Sequence, residues 1–454
     1  MSTIMAEGSR IETKELTVAT PEILWHGGGN TNGKVEHVFS VDIYNKIMAT
    51  TGLDGEVPPR GCVRLWNLDS GNWERPECIT TLSDHISHVH VARFSKCGTK
   101  LVSASEDTII VHKIGKTSND WKKLEDTNIN PEKIIIKPNP KTGEIYDICW
   151  SPDNIHVLVG TLDHKSYIIN TETKKQISLL PDHSNYVQGV AWDPRNKVVI
   201  TQSADRSCMA HTFEMKGSNI SLKRKSWKMK TRKGLEGQPG INLYVDNTLP
   251  GFFRRPCFSP DGNLLVTPSG LYKNDADSKS SFATHLYSKN RLSEPIISLA
   301  GIEEPSVAVR FSPRFYELKS DKDEIKEKSW KLGKDYRMVF AVATTKTLYI
   351  YDTQHDCPIL RFGGLHYGNI NDVAWSDDGK FLTCCSSDGY ISLIQVKGDI
   401  LGTDITESIM EKFNSKKDIE INDQENVDNP KVVDNSTNPE GFEGSSASAK
   451  KQRI

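Results

Sequence analysis

A layout of three short apolar runs separated by two tight turns recurs along the chain, and it constrains the possible folds more than any other feature. Its clearest copy is residues 366–396, with turns at Ser376–Gly379 and Ser387–Gly389. Asp and Gly favour tight turns, while aromatic and β-branched residues at nearly alternate positions between them favour strands. Since three such strands cannot bury both faces of their own sheet, each copy needs neighbours of the same kind.

The chain contains seven copies of this layout, at an average spacing of roughly 54 residues. That spacing exceeds the ~40–45 residues of a plain WD repeat, and visible inserts account for the difference. Sequence periods of this size predict an all-β fold, a seven-bladed WD-repeat β-propeller. The copies span residues 35–68, 85–114, 144–170, 183–213, 252–287, 307–352 and 366–396.

The ends of the chain divide it into three predicted regions. Residues 1–14 are polar and predict a flexible N-terminus, and residues 15–400 form the propeller. Residues 15–25 predict a strand, with Leu16, Val18 and Ala19 as its apolar part. We expect it to supply the outer strand of the last blade, which has only three strands of its own, so that the ring closes without an open edge. Residues 401–454 predict a mostly disordered acidic tail with a basic tip and one short helix at 405–413.

Aspartates at the second turn of five copies are interpreted as structural. A carboxylate there can accept backbone N–H bonds and meet a His from the preceding strand. Three resulting His/Ser/Asp sets look like hydrolase triads, but their recurrence from copy to copy indicates a scaffold position instead. The aspartates are Asp54, Asp107, Asp163, Asp205 and Asp388, and the sets are His85/Ser105/Asp107, His183/Ser203/Asp205 and His366/Ser386/Asp388.

Composition excludes several classes of protein. The net charge of −2 does not fit a polycation that seeks nucleic acid. No apolar run reaches the ~18 residues of a membrane span, and no signal segment precedes the repeats. The nine cysteines lack zinc-type spacing and predict reduced thiols in an intracellular protein, with adjacent Cys384 and Cys385 pointing to opposite faces of a strand. No G-x-S-x-G, Walker or HExxH motif is present, so no catalytic residue, metal or cofactor is predicted.

Two basic segments are candidate partner-binding sites. Residues 215–250 carry Lys223, Arg224, Lys225 and Lys228, which fit a solvated loop with an outer strand, a nuclear import signal, or a contact with an acidic partner or phosphates. The tip, Lys450, Lys451, Arg453 and Ile454, follows an acidic tether. It fits a peptide ligand in which Arg reaches an acidic patch and Ile fills a pocket.

Several segments resemble one family, the middle, WD-repeat subunits of chromatin assembly factor one, and in part the related HIR/HIRA histone chaperones. The resemblance covers residues 15–400. The Phe-Phe-Arg-Arg and Tyr-Val-Gln-Gly-Val runs are its most specific parts. The segments are Ile23–His26, Tyr146–Trp150, Tyr186–Pro194, Phe252–Arg255, Pro260–Pro268 and Tyr351–Gln354.

The resemblance implies a nuclear, non-enzymatic scaffold in a complex that deposits H3–H4 histones on newly replicated DNA. It implies as partners the large and small subunits of that complex, H3–H4 histones, directly or through the complex, and the replication sliding clamp only indirectly, with DNA contact left open. The C-terminal tip would bind the anti-silencing histone chaperone, although the chain stops at Ile454 without the further apolar residues of the family motif. Arg254 and Arg255 are candidate partner contacts provided that they are exposed, whereas Phe252 and Phe253 are expected in the core.

Three alternative functions remain at this stage. HIR/HIRA-type proteins work in replication-independent assembly and transcriptional repression, but they carry a second large domain, where this chain has about 50 weakly structured residues. A ubiquitin-ligase substrate receptor usually ends its repeats in Trp-Asp-x-Arg, which Trp66-Asn67-Leu68 does not match. A propeller that gates a hydrolase would need a catalytic motif and additional length.

Overall fold

The computed structural model describes most of the repeat region and little of the two ends. The chain separates into two compact units, residues 1–405 and 406–454. The described residues are 2–5, 10–12, 14, 16–27, 35–54, 60–69, 71–106, 108–114, 118–125, 131–137, 143–180, 183–216, 219–232, 240–273, 279–319, 334–397 and 400–415.

Seven sheets, called blades 1 to 7 in chain order, confirm the predicted seven-bladed propeller. In blades 1 to 6 four consecutive strands lie side by side, and they are described here from the innermost to the outer one. Blade 1 contains Ser40–Tyr44, Ile47–Asp54, Arg60–Asn67 and Glu77–His85; blade 2 contains Val91–Phe94, Lys100–Ala104, Ile109–Lys113 and Glu132–Ile136; blade 3 contains Ile145–Trp150, His156–Thr161, Ser166–Asn170 and Lys175–Leu180.

The remaining blades follow the same order. Blade 4 contains Val187–Trp192, Val198–Ser203, Ser207–Lys216 and Asn219–Met229; blade 5 contains Cys257–Phe258, Leu264–Tyr272, Ser281–Ser288 and Ile297–Ile302; blade 6 contains Ser306–Tyr316, Arg337–Thr344, Leu348–Asp352 and Leu360–Gly363; blade 7 contains Ile370–Trp375, Phe381–Ser386 and Ile391–Val396.

An N-terminal strand completes blade 7. Leu16–Ala19 pairs antiparallel with Ile391–Val396, Leu16 opposite Val396 and Ala19 opposite Leu393. This pairing joins the two ends of the repeat region within one sheet, as a sealed ring requires. The N-terminus departs from the predicted flexible segment, because Arg10–Glu12 pairs with Leu16–Ala19 and Ser2–Met5 runs parallel to the outer strand of blade 6.

Apolar layers between neighbouring blades form the core. Inner strands such as Phe381–Ser386 are buried at every position, because each blade is covered on both faces by its neighbours. Cys384 lies in the layer between blades 6 and 7 and Cys385 in the layer between blades 7 and 1, so the two side chains point to opposite faces, as predicted. In the described part of the chain all nine cysteines are free thiols.

Elements outside the regular blades are few. The Ile134–Ile136 run belongs to the outer strand of blade 2, and the basic segment after residue 215 supplies the outer strand of blade 4. A 3-10 helix spans Ser118–Glu125, and Thr231–Arg232 pairs with Ile241–Asn242. Residues 406–415 form the helix predicted near 405–413.

Candidate partner-binding face

The predicted turn carboxylates anchor hydrogen-bonded groups inside the blades. In blade 1, His26 Nδ1 lies 3.2 Å from Asp54 Oδ1, and His26 Nε2 lies 2.9 Å from Thr50 Oγ1. The indole N–H of Trp66 donates to the same hydroxyl at 2.9 Å. All four residues are buried, so this chain of hydrogen bonds ties the loop before blade 1 to its second and third strands.

Blade 4 repeats the arrangement with one difference from the predicted set. His183 Nδ1 lies 3.2 Å from Asp205, but Nε2 lies 2.8 Å from Thr201 rather than near Ser203. Ser203 instead donates to the Asn185 carbonyl. The His183 side chain reaches past the turn to Thr201, two residues further along the same strand face, so Ser203 is not a member of this hydrogen-bonded group.

Blade 7 shows the same departure. His366 Nδ1 lies 3.2 Å from Asp388, and Nε2 lies 3.0 Å from Ser392 on the neighbouring strand, because Cys384 occupies the position two residues inward from Ser386. In blade 2, His85 bonds Ser103, not Ser105, and Asp107 lies outside the described residues. In blade 3, Asp163 has no such His and accepts from Tyr167 Oη at 2.8 Å.

Burial and hydrogen bonding set the charge of these carboxylates. Burial alone would raise the pKa of Asp205, but hydrogen bonds from His183 and Ser207 hold it below its usual range. The pKa of Asp388 is lowered in the same way, by His366 and backbone N–H groups. Asp205 and Asp388 are therefore ionised hydrogen-bond acceptors within their blades, not bases exposed to a substrate.

One of these groups also has metal-ligand composition, since Cys62 lies beside His26 and Asp54. Cys62 Sγ is 3.3 Å from His26 Nδ1, but Asp54 already accepts from Gly27 N and from Arg64 Nε at 2.7 and 2.6 Å. Burial raises the pKa of the Cys62 thiol, whereas a metal requires the thiolate. The residues fit the recurring blade turn better than a metal site.

A cluster of rings surrounds the centre of the propeller at the face where the innermost strands begin, here called the upper face. Phe39 packs 5.4 Å from His90 and 6.4 Å from Phe253, measured between ring centroids. Tyr146 lies 5.4 Å from His90 and 6.4 Å from Phe252. We call this cluster the aromatic collar; it consists of Phe39, His88, His90, Tyr146, Phe252 and Phe253.

Apolar surface is left uncovered on and around the collar. Phe253 is buried, as expected from the sequence, but Phe252 is 54% exposed, so its prediction as a core residue was wrong. Tyr186, Tyr367 and Ile86, which also precede innermost strands, are exposed, and Tyr367 reaches 98%. Exposed aromatic and aliphatic side chains at the same end of the ring are typical of a protein-binding surface.

Carboxylates lie beside these rings. Glu106 is exposed and Glu144 half-buried, and neither makes an ion pair within the described residues. Glu106 influences His90 electrostatically, and Glu144 influences Tyr146. The upper face therefore combines apolar anchors with two carboxylates that form no ion pair within the described residues.

Arg255 lies beneath the collar and is fully buried. Its guanidinium donates to the carbonyls of Phe39, Asn371 and His90 at 3.0–3.1 Å and to Asp147 Oδ1 at 3.2 Å. These partners belong to blades 1, 7, 2 and 3. The side chain therefore links four blades across the centre of the ring.

Arg254 is also buried and connects a further blade. Its Nε donates to Gln188 Oε1 of blade 4 at 2.7 Å, and its Nη atoms donate to the carbonyls of Val245 and Asp246. The backbone of Arg255 pairs with Val307 and Val309 of blade 6. Arg254 and Arg255 thus lack the exposure that a partner contact requires, and the structure corrects their prediction as binding residues. The backbone carbonyls that converge at the centre of the ring need hydrogen-bond donors, and the buried guanidinium groups of Arg254 and Arg255 supply them.

The other predicted contact residues divide into described and undescribed ones. Lys223 is exposed and forms an ion pair with Glu214, and Lys228 is exposed with its Nζ 3.8 Å from Asp205. The side chains of Arg224 and Lys225 lie outside the described part of the structure, as do Lys450, Lys451, Arg453 and Ile454. Across the described residues, no helix is long and apolar enough to cross a membrane.

The closed ring of seven blades and its turn carboxylates define a WD-repeat β-propeller. Residues 16–401 match the CAF1B/HIR1 beta-propeller domain, and the chain belongs to this family. It is 31% identical to the CAF1B subunit of chromatin assembly factor 1 from Gallus gallus, over 86% of this chain and 69% of that protein. It is 29% identical to the corresponding protein from Saccharomyces cerevisiae, over 83% and 85% of the two chains. The protein HIR1 of Gibberella zeae is 27% identical, over 85% of this chain and 36% of its own length.

Proposed function

We propose that this chain is a non-enzymatic scaffold subunit of a nuclear complex that deposits H3–H4 histones on newly replicated DNA. The observation that carries the proposal is the similarity to CAF1B subunits of chromatin assembly factor 1 along nearly the whole propeller. Family membership favours a scaffold over a catalyst, and the His/Asp groups found in the blades serve as structural turns.

The proposed partners are those that the family resemblance implies. They are the large and small subunits of the assembly complex and H3–H4 histones, with the sliding clamp reached only through the complex. The anti-silencing chaperone would bind the tip at Lys450, Lys451, Arg453 and Ile454. Lower identity to HIR1 than to the CAF1B proteins favours the replication-coupled function over the HIR-type function.

The aromatic collar, together with Tyr367 on the same face, is the surface that we assign to one of these partners. Phe252 and Tyr367 are exposed apolar groups on the upper face, and truncating them removes contact area without opening the core. Large aromatic groups of this kind often dominate protein interfaces, where a truncation typically costs about 2 kcal/mol or more.

Co-purification tests the assignment. The full chain carrying Phe252→Ala and Tyr367→Ala would be mixed with the large subunit, the small subunit and H3–H4 histones, and each binding constant measured. Ile135→Ala is the matched control, because Ile135 is also 54% exposed but lies on the outer strand of blade 2. We expect the double variant to lose affinity for one partner by about tenfold or more, while the control binds normally.

Two results would contradict the proposal at different levels. Unchanged binding of every partner by the double variant would remove the collar from the interface. Failure of the unmodified chain to bind any of these partners, or to support histone deposition on plasmid DNA in their presence, would remove the scaffold function itself.

A further inference from the structure

A groove opens on the lower face, opposite the collar, between blades 5 and 6. It encloses about 200 Å³. Its walls come from the first turn of blade 5, from the connection between the third and outer strands of that blade, and from the second and third strands of blade 6 with the segments beside them. Its lining includes Asn263, Lys289, Ile296, Leu318, Lys334 and Gln354.

The groove has an apolar floor and uncovered apolar rims. Leu264 and Met338 in its lining are buried, whereas Ile296 and Leu318 are 36% and 48% exposed. Burying the exposed parts of these two side chains against a partner would be favourable, because it removes apolar surface from water.

The rim that carries Leu318 is held in place. The Gln354 side chain accepts from Lys319 N and donates to the Lys319 carbonyl, both at 2.9 Å. The amide therefore acts as a strand partner for the segment beside Leu318. A fixed wall reduces the conformational entropy that a binding partner would otherwise have to remove.

The charge around the groove is positive. Lys289 lines it without an ion pair within the described residues, and exposed Lys197 likewise has none. The guanidinium of Arg195 donates to the neutral side chain of Asn263, at 2.8 Å. Burial lowers the pKa of Lys289, the neighbouring charges of Arg195 and Lys197 lower it further, and the carboxylates of Asp193 and Asp261 act in the opposite direction.

Two carboxylates, Asp193 and Asp261, offset this charge only in part. Asp261 is buried and accepts from Tyr336 Oη at 2.7 Å and from Asn263. Lys334 Nζ lies 3.8 Å from it, so its charge is already compensated within the fold. A bound anion would relieve the repulsion among Lys289, Arg195 and Lys197.

We propose that the lower groove binds an acidic segment of a partner protein that carries a large aliphatic side chain. The aliphatic group would fill the space between Ile296 and Leu318, and carboxylates beside it would pair with Lys289 and Arg195. This site is separate from the collar, and its assignment does not depend on which complex the chain joins.

Peptide titration against the full chain tests the proposal. The probe is a fluorescein-labelled ten-residue peptide of alternating Glu and Leu, followed by anisotropy. One comparison peptide replaces Glu by Lys, and another replaces Leu by Ser. We expect binding of the first peptide alone, and a loss of about tenfold or more in affinity with either Lys289→Glu or Leu318→Ser.

Variants on the opposite face distinguish a built groove from general attraction. Lys165→Glu and Ile86→Ser make the corresponding changes, a charge reversal and an aliphatic-to-Ser replacement, on the upper face and should leave binding intact. Loss with Lys289→Glu but none with Leu318→Ser would mean that the peptide responds to charge only, and would overturn the proposal. Equal binding of all three peptides, or no binding at all, would also overturn it. Thermal unfolding of each variant confirms that a loss does not come from misfolding.

Discussion

The guanidinium of Arg255 lies 3.0 Å from the carboxylate of Asp372, and neither side chain is exposed to solvent. Burial opposes the ionisation of Asp372, but Arg255, Arg93 and Arg310 outweigh it and hold its pKa below the usual range. Asp372 also accepts from Arg93 at 2.8 Å. The centre of the ring is thus a charged network in which each blade depends on its neighbours.

Replacing Arg255 should destabilise the whole propeller. Arg255→Ala leaves buried carbonyls and part of the Asp372 charge without donors, which should lower the free energy of unfolding by roughly 3–5 kcal/mol. Arg255→Lys should recover part of the loss, because an ammonium keeps the charge but cannot reach the same set of acceptors. Urea unfolding followed by tryptophan fluorescence measures both. Exposed Arg291→Ala is the control, and equal stability of Arg255→Ala and this control would contradict the stabilising role of the central arginine.

Asp42 should give the stability an unusual pH dependence. Burial raises its pKa to about 6, against the opposing effect of Arg93. The folded state then holds a proton that the unfolded state releases near pH 4, so this residue makes stability fall as the pH rises from about 4 to about 6. Asp42→Asn removes that loss, and its amide oxygen can still accept from Phe94 N.

We therefore expect the stability of Asp42→Asn relative to wild type to increase by about 1–3 kcal/mol between pH 4 and pH 7. Unfolding curves at several pH values check this. Asp69→Asn is a useful comparison, because hydrogen bonds from Lys46 and Lys122 lower the pKa of that surface carboxylate. The stability of Asp69→Asn relative to wild type should therefore change with pH in the opposite direction. If the stability of Asp42→Asn and that of wild type changed with pH in parallel, Asp42 would not be protonated in this range.

Asp388 should behave in the opposite sense. Hydrogen bonds from His366 and from backbone N–H groups overcome burial and lower its pKa, so its contribution is present above the unfolded pKa of about 3.9 and is lost as the pH falls further. Asp388→Asn should cost about 1–3 kcal/mol at pH 7, and the cost should shrink in acid. A cost that stays constant with pH would mean that shape, not charge, sets its contribution.

Closure of the ring can be tested at Val18, which is buried and pairs with Ile394. Val18→Asp places an unpaired charge between blades and should lower the unfolding free energy by more than about 3 kcal/mol. Limited proteolysis should then cut near the ends of blade 7 first. Exposed Glu22→Lys serves as the control, and a protease pattern shared by both variants would argue against the strand as the seal.

The blades could be predicted from the sequence because their signals are local. Alternating apolar residues and Asp- or Gly-rich turns repeat often enough that the ring size follows from counting them. The closing strand at Leu16–Ala19 could be inferred too, since the last copy lacked a fourth strand. The opposite orientation of the Cys384 and Cys385 side chains follows from the alternation of residues along a strand.

The centre of the ring could not be predicted, because its partners lie far apart in the sequence. Arg255 meets Phe39 and Asn371, 216 and 116 residues away, and nothing local distinguishes such an arginine from an exposed one. For the same reason the sequence does not reveal that Phe252 is exposed and Phe253 is buried. The hydrogen-bond partner of the His side chain could not be predicted for a more local reason. Whether His183 meets Thr201 or Ser203 depends on how far its imidazole reaches into the blade.

The pairing of Leu16–Ala19 with Ile391–Val396 also orders events during synthesis. Residues 16–19 leave the ribosome long before their partners exist, at translation rates of about 5–20 residues per second. Throughout that interval blade 1 has no seventh blade beside it, and the nascent chain carries bare strand edges. Blades 1 to 6 can form progressively, but the ring locks only when the last blade emerges, so chains stalled before that point would be targets for chaperones and proteases.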